Sequence, residues 1–196
     1  SDVPGRVIKQ ATFEDNADYM TNEANRQAIA ADIGIAPRVT SLERFPGGIG
    51  NRIEMDDIRN NYDPIVSPTG HPQFLQGKVA LETAKQRGML ALKGVELDDR
   101  HSGNVFTHKM TGRPMQIDFG IAYDLPGDYG KASALANATA DGFAAAGIPD
   151  MGDILRAHVA DALEGGDTAS AMDIARQGFS RLQKIKVPLQ EPVSFF

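Results

Sequence analysis

The stretch LDDRHSGNVF, residues 97–106, concentrates charged and polar side chains and then turns apolar. A second polar cluster, QIDFG, follows at residues 116–120. Residues 103–106 and 114–117 each have the character of a short strand, and the glycine-containing segment between them favours a turn. In such a hairpin the start of the first strand lies beside the end of the second strand. The two polar clusters are therefore predicted to lie close together and to form one site.

Length and composition are typical of an ordinary globular protein. A chain of 196 residues suits one domain, or two small lobes around a cleft. The formal net charge of -6, with no basic stripe, argues against nucleic acid as the main partner. Without cysteine there is no disulfide, no thiol catalysis and no cysteine-ligated zinc. No apolar run approaches membrane-spanning length and no signal peptide is visible; because the chain opens with Ser1, a processed N-terminus is expected.

The first 55 residues are predicted to form a strand, a helix and a two-stranded hairpin. Residues 6–11 favour a strand, and residues 19–33 have helical periodicity with alanines on one side. Residues 38–45 and 51–55 have strand character and flank the turn PGGIG at residues 46–50.

The remaining chain is predicted to be mainly helical. Residues 56–70 are polar and broken by proline, which favours a connector, and residues 72–88 are predicted to form a helix. Beyond Tyr123 the chain is alanine-rich and helical, with Asp150 and Asp167 as predicted helix caps. A core-facing stripe of the last helix comprises Met172, Ala175, Phe179 and Leu182.

Three residues have a spacing that suits phosphoryl transfer. Asp99 is followed five positions later by Asn104, and Asp118 begins the tripeptide DFG. Transfer from a magnesium nucleotide requires oxygen ligands for the metal, a cation on the phosphates and a carboxylate that orients the attacking hydroxyl. The ordered set therefore indicates a phosphotransferase.

The run DRHSGNVFTHKMTGRPMQIDFG, residues 99–120, resembles the core of the protein-kinase-like superfamily and is most similar to minimal secreted bacterial effector kinases. The form DxHxGNV also resembles aminoglycoside and other small-molecule phosphotransferases, and DRHxxN with IDFG resembles phosphoinositide kinases. The resemblance implies an α+β, two-lobed kinase-like fold. A small β-rich N-lobe (residues 1–55) and a shortened helical C-lobe (residues 56–196) would form a single domain.

The same resemblance implies ATP and Mg²⁺ as cofactors and gives individual roles to residues. Asp99 would orient or deprotonate the acceptor hydroxyl, while Asn104 and Asp118 would hold the magnesium. Lys9, at the end of RVIK, would bind the nucleotide's phosphates, and Glu23 on the first helix would pair with Lys9.

Two further positions carry implied roles. Glu54 and Met55 would form the hinge against which adenine stacks and hydrogen-bonds. His101 stands two places after Asp99, where protein kinases usually have lysine and small-molecule and lipid kinases have histidine. His101 could donate a hydrogen bond to the transferring phosphate or act as the base itself, so both residues stay candidates for that role.

A protein substrate is the first expectation. Between Met55 and Asp99 there is room for a connector and one helix, whereas aminoglycoside-type enzymes carry a long helical insertion there. Lipid kinases have a larger helical lobe and a basic activation loop, but residues 121–130 are acidic. The resemblance thus implies a Ser/Thr kinase that a bacterium secretes into a host cell's cytosol as a virulence effector, acting on a host protein; the alternative localisation is cytoplasmic.

One feature of the family pattern is missing from the sequence. No glycine-rich loop precedes Lys9, so either an upstream segment carries that loop or the phosphates are covered in another way. A pseudokinase-like binding module therefore remains an alternative, beside the small-molecule and lipid kinases. A metal hydrolase is disfavoured because His71, His101 and His108 form no HxxxH or HxH pair.

Overall fold

The computed structural model describes residues 5–10, 17–44, 51–65, 75–98 and 102–186, which adopt an α+β architecture with small antiparallel sheets. The strands are β1 (Arg6–Gln10), β2 (Val39–Arg44), β3 (Asn51–Asp56), β4 (Tyr62–Pro64), β5 (Val95–Leu97), β6 (Val105–His108), β7 (Pro114–Gln116) and β8 (Ala122–Asp124). The helices are α1 (Ala17–Asp32), α2 (Gly77–Leu92), α3 (Gly127–Ala145), α4 (Pro149–Glu164) and α5 (Thr168–Lys184).

The N-terminal sheet has the strand order β1-β3-β2, with both pairings antiparallel. Directly opposed residues of an antiparallel pair share a face. Lys9 is opposite Ile53 and Val7 is opposite Met55, so these four side chains lie on one face. Helix α1 covers that face through an apolar cluster of Met20, Ala24 and Ile53, with Val39, Leu42 and Met55 at its edge. The predicted strand, helix and hairpin strands are confirmed, whereas the PGGIG turn lies outside the described residues.

Helices α2, α3, α4 and α5 pack around the largest apolar cluster. Close approach here depends on glycine: a Cβ on Gly88 would lie 2.3 Å from the Phe179 ring, and one on Gly142 would lie 2.5 Å from Leu182. The prediction that α2 ends at Gly88 is therefore wrong, because the helix continues to Leu92 and uses the glycine to accommodate Phe179.

A second apolar cluster, which we call the junction cluster, joins the N-terminal part to the helical part. Its buried members are Ala30, Ile35, Ala36, Leu90, Val95, Leu97, Phe119 and Ala122. The backbone amide of Gln116 donates to the carbonyl of Ile35 at 2.8 Å, which ties β7 to the segment after α1. Helix α1 and the segment after it are thus connected to α2, β5, β7 and β8 through buried contacts.

The predicted hairpin is present as β6 and β7, with β4 added to its outer edge. One residue beyond the last paired residues of β6 and β7, the Ile117 amide donates a hydrogen bond to the Asn104 carbonyl at 2.9 Å. The short strands β4, β5 and β8 were not predicted. Each has three residues, too few for a period to show, and each pairs with a strand distant in sequence.

Of the two predicted helix caps, one is wrong and one is confirmed. Asp150 is not a cap, because α4 begins at Pro149 after Ile148, and Asp150 lies in the first turn, where its charge favours the helix dipole. Asp167 does cap α5 and accepts a hydrogen bond from the Ser170 amide at 3.0 Å. The predicted stripe of α5 is buried in the helical cluster. Within the described residues, no helix has both the length and the apolar character that crossing a membrane requires.

Candidate active site

An ion pair between β1 and α1 is the centre of the candidate site. Strand alternation directs Lys9 toward α1, and Glu23 lies on the helix face that covers the sheet. The Lys9 Nζ donates to Glu23 Oε1 at 2.6 Å. The Glu23 side chain is only 1% exposed and the Lys9 side chain is 36% exposed, so the carboxylate is buried and the ammonium is open toward the solvent.

Asp118 completes this polar cluster from the far end of the chain. The Lys9 Nζ also donates to Asp118 Oδ1, at 2.9 Å. The backbone of Asp118 has a φ of 62°, in the left-handed region, where aspartate is more tolerable than most side chains. The Gly120 amide donates to the same carboxylate oxygen at 3.2 Å. The chain reversal at residues 118–120, which we call the Asp118 loop, therefore presents a carboxylate to Lys9.

The electrostatics keep Lys9 charged. Burial lowers the pKa of Lys9, but hydrogen bonds and charge attraction from Glu23 and Asp118 outweigh it, and the net effect raises the pKa above its usual value. A cation held between two carboxylates can exchange one of them for another anion, such as a phosphate, without leaving Glu23 unpaired.

A cleft of about 270 Å³ opens beside this cluster. Lys9, Glu23 and Asp118 all line it. The apolar part of its wall is formed by Val7, Pro37, Met55, Ile58, Phe106 and Ile117. A mainly apolar wall with a few convergent charged groups is the usual character of a small-molecule site, and this one suits a flat ring next to phosphates.

The segment after β3 forms another part of the cleft wall. Met55 lines the cleft as predicted for a hinge residue, but Glu54 is not among the lining residues described. Glu54 points to the other face of the sheet, where Ser41 Oγ donates to it at 3.2 Å and Arg6 lies 4.0 Å away. Residues 56–59 line the cleft instead. The alternation of β3 could have shown that Glu54 and Met55 cannot face the same side.

A charged pair lies at this part of the cleft. Arg59 donates from its Nε to Asp57 Oδ1 at 2.8 Å and from its Nη2 to Oδ2 at 2.6 Å. These hydrogen bonds lower the pKa of Asp57, whose side chain is 15% exposed, to about 2. The carboxylate is therefore ionised at neutral pH and can accept hydrogen bonds from hydroxyl groups of a ligand.

Asn104 lies at the start of the hairpin, in a 3₁₀ turn at Ser102–Asn104. Its backbone carbonyl accepts a hydrogen bond from the amide of Ile117, the residue before Asp118, which brings the backbone of Asn104 close to that of Asp118 across the hairpin. The other two predicted residues of this loop, Asp99 and His101, lie outside the described residues.

No family model matches the chain. No curated protein matches it in sequence.

The donor set of the cluster fits a hard cation and a phosphate. Asp118 and Asn104 offer carboxylate and amide oxygens, the ligand types that Mg²⁺ takes. Lys9 offers a cation beside them. Among the described residues, no group of three or more histidine, aspartate or glutamate side chains converges as a metal site, so a dedicated all-protein cage is not visible there. Mg²⁺ that is held by one or two protein groups and by substrate phosphates needs no such cage.

Two residues that lie beside the polar cluster of Lys9, Glu23 and Asp118 were not predicted from the sequence. Tyr19 lies with its hydroxyl against Gly120, and Arg26 donates from Nη1 to the Ala122 carbonyl at 2.6 Å. Arg26 also pairs with Asp124 through Nη2 at 3.0 Å. Both residues lie on the same face of α1 as Glu23, four positions before it and three after it. That helical spacing was the available signal.

Proposed function

We propose that this protein is an ATP- and Mg²⁺-dependent phosphotransferase with a two-lobed, kinase-like fold, and that it acts as a protein Ser/Thr kinase. The ion pair of Lys9 and Glu23 next to Asp118 is the observation that supports the proposal. In protein kinases a strand lysine must pair with a helix glutamate, and the aspartate of DFG must hold Mg²⁺, before phosphoryl transfer can occur. Here the carboxylates of Glu23 and Asp118 both lie within 2.9 Å of the Lys9 ammonium.

The roles of the residues follow from their positions. Lys9 would bind the phosphates of ATP while Glu23 keeps the ammonium oriented, and the base would lie along the apolar wall of the cleft. Asp118 and Asn104 would hold Mg²⁺, which, when bound, supplies positive charge beside the phosphates. Nucleotide binding would exchange the Lys9–Asp118 hydrogen bond for contacts to phosphate and metal and leave the Lys9–Glu23 pair intact.

The chemical step would transfer the γ-phosphoryl group. The bond from the γ-phosphorus to the bridging oxygen breaks, with its electron pair going to ADP, and a bond forms to the acceptor hydroxyl oxygen. The hydroxyl proton goes to Asp99 or His101, which are the two candidate bases of the loop. Asp118 and Lys9 act on the opposite, nucleotide side of the transfer.

The proposed acceptor is a serine or threonine of a host protein, reached by secretion from a bacterium into the host cytosol. Support comes from the resemblance of residues 99–120 and from the short span before the catalytic loop. In the described part of residues 56–98, α2 is accompanied only by the three-residue strands β4 and β5, without a further helix that could build a small-molecule pocket.

Labelled ATP, incubated with the protein and candidate acceptor proteins, tests the proposal. We expect phosphate incorporation by the wild type and none above background by Asp118→Asn, which keeps a residue tolerant of the left-handed backbone but removes the charge. Asp173→Asn, at an exposed position of α5, is the matched control and should behave as the wild type. Equal incorporation by wild type and Asp118→Asn would exclude the metal role.

The same preparation separates the alternative functions. ATP turnover stimulated by an aminoglycoside or a phosphoinositide, and by no protein, would replace the protein acceptor with a small-molecule or lipid acceptor. A protein that shows no thermal shift with Mg²⁺-ATP would be a pseudokinase-like binding module instead.

A further inference from the structure

Tyr19 makes a close contact with the Asp118 loop. A Cβ built on Gly120 would lie 2.0 Å from the Tyr19 Oη and 3.1 Å from its Cζ, so the phenol covers the position that a larger residue would need. The same Cβ would lie 3.1 Å from Asp118 Oδ1. Tyr19 Oη, Gly120 and the Asp118 carboxylate therefore share one small volume.

At position 120 the contact with Tyr19, and not the backbone conformation, opposes a residue that carries a Cβ. The positive-φ residues of the described chain include Asp118, but Gly120 is not among them. An alanine could adopt the conformation of Gly120 without strain, since only a φ in the left-handed region restricts residues with a Cβ. An alanine at position 120 would instead displace the hydroxyl end of the Tyr19 side chain.

The environment of Tyr19 agrees with a role at the polar cluster. The side chain is 46% exposed, yet partial burial raises the pKa of its hydroxyl, Glu23 and Asp118 raise it further, and Lys9 and Arg26 oppose them. The phenol is therefore a neutral hydrogen-bond donor at physiological pH, within the electrostatic influence of all three side chains of the site.

We infer that Tyr19 is a positioning residue that holds the Asp118 loop against α1, so that the Asp118 carboxylate faces Lys9. This role rests on the proposed function, in which the Asp118 carboxylate has to face the Mg²⁺ and phosphates next to Lys9. Together with Arg26, which bonds to Ala122 and Asp124, Tyr19 attaches α1 to the segment that follows Phe119. The pairing of Lys9 with Glu23 on α1 and the placement of Asp118 are then set by the same helix.

A double-mutant cycle of Tyr19→Phe and Gly120→Ala tests the contact. Gly120→Ala should force the tyrosine out of its place. Adding Tyr19→Phe removes the oxygen at 2.0 Å and leaves a ring carbon at 3.1 Å, which needs a shift of only a few tenths of an ångström. In urea unfolding of the ligand-free proteins, Gly120→Ala should therefore have a lower midpoint than the wild type. The double variant should have a higher midpoint than Gly120→Ala. Additive effects of the two substitutions would overturn the inference.

The functional readout is the Mg²⁺ dependence of the thermal shift with ATP. We expect Gly120→Ala to raise the half-saturating Mg²⁺ concentration by about tenfold, and Tyr19→Phe to reverse most of that rise. A contact of purely structural importance would change the melting temperature and leave the Mg²⁺ dependence unaltered, which would also overturn the inference. Tyr129→Phe, at a tyrosine of similar exposure on α3, is the control.

The outcomes distinguish this inference from the proposed function. If the wild type shows no shift with Mg²⁺-ATP, the proposed function fails and the positioning role fails with it, whatever the urea cycle shows. If the wild type binds Mg²⁺-ATP but the cycle is additive, only the role of Tyr19 fails. If Gly120→Ala does not fold, recovery of folding by Tyr19→Phe supports the contact, and its absence contradicts it.

Discussion

Lys9 and Glu23, 14 residues apart in the chain, form an ion pair of 2.6 Å in which the carboxylate is buried and the ammonium is not. The asymmetry means that Glu23 depends on Lys9 more than Lys9 depends on Glu23. A buried carboxylate that loses its cation has no solvent to replace it, whereas the ammonium keeps contact with water and with Asp118.

Removing Lys9 should therefore destabilise the fold as well as the site. We expect Lys9→Met to lower the free energy of unfolding by about 1–3 kcal/mol, because the Glu23 carboxylate is left buried and unpaired. Adding Glu23→Gln should recover part of this loss, since a neutral amide costs less to bury. Urea unfolding at neutral pH measures both effects. A Lys9→Met protein as stable as the wild type would show that Glu23 is not held as a buried anion.

Substitutions of Asp118 should separate its charge from its backbone conformation. Asp118→Asn and Asp118→Ala both remove one of the two carboxylates that contact Lys9, but alanine tolerates a φ of 62° less well than asparagine does. We expect Asp118→Ala to be less stable than Asp118→Asn by about 1 kcal/mol, and Asp118→Gly to be at least as stable as Asp118→Asn. Chemical denaturation of the three variants provides the comparison. Equal stability of all three would contradict a left-handed Asp118.

Alkaline pH should weaken the N-terminal part of the protein. The pKa of Lys9 lies above its ordinary 10.5 and that of Tyr19 above its ordinary 10.0 in the folded state. A raised folded-state pKa stabilises the protein fully below the unfolded-state pKa, and the contribution is lost as pH rises through the folded-state value. Urea midpoints measured upward from about pH 9 should fall less steeply for Tyr19→Phe than for the wild type. Tyr129→Phe is the control, and its urea midpoints should change with pH as those of the wild type do. If the midpoints of Tyr19→Phe also fall as steeply as those of the wild type, the raised pKa of Tyr19 is contradicted.

Gly88 is predicted to be intolerant of a methyl group despite its position inside a helix. Alanine in a helix interior is normally favoured over glycine by about 1 kcal/mol. Because the added Cβ would lie 2.3 Å from the Phe179 ring, we expect Gly88→Ala to destabilise the protein by about 1–3 kcal/mol. In a Phe179→Leu background the same substitution should cost less. Thermal unfolding of the four proteins tests this, and a stabilising Gly88→Ala would show that α2 and α5 can move apart.

The local elements of this protein were predictable because their signals are local. Strand β1, helix α1 and the hairpin of β6 and β7 follow from residue type and periodicity. The resemblance to kinase-like proteins, and not spacing, implied that Lys9 pairs with Glu23 and that Asp118 belongs to the same site; the structure brings these three side chains together. Two local signals were not used. Strand alternation implies that Glu54 and Met55 face opposite sides, and helical spacing places Tyr19 and Arg26 on the same face of α1 as Glu23.

The elements that were not predicted depend on partners distant in sequence. Helix α2 passes Gly88 because Phe179 of α5 packs there, and nothing near Gly88 in the sequence indicates Phe179. Strand β5 exists because β8 pairs with it. The contact of Tyr19 with Gly120 likewise joins segments about a hundred residues apart, so the sequence around one of these residues does not indicate the other.

The hydrogen bond from the Gln116 amide to the Ile35 carbonyl has a consequence for synthesis on the ribosome. The segment after α1 emerges early, but its buried Ile35 packs in the junction cluster with Leu90 and Phe119, which are made much later. The first three strands and α1 must wait for the hairpin before their last apolar side chains are covered. A nascent chain arrested before Gln116 should accordingly expose Ile35 and be a substrate for chaperones and proteases, and folding of the N-terminal part should be complete only after the hairpin has left the exit tunnel.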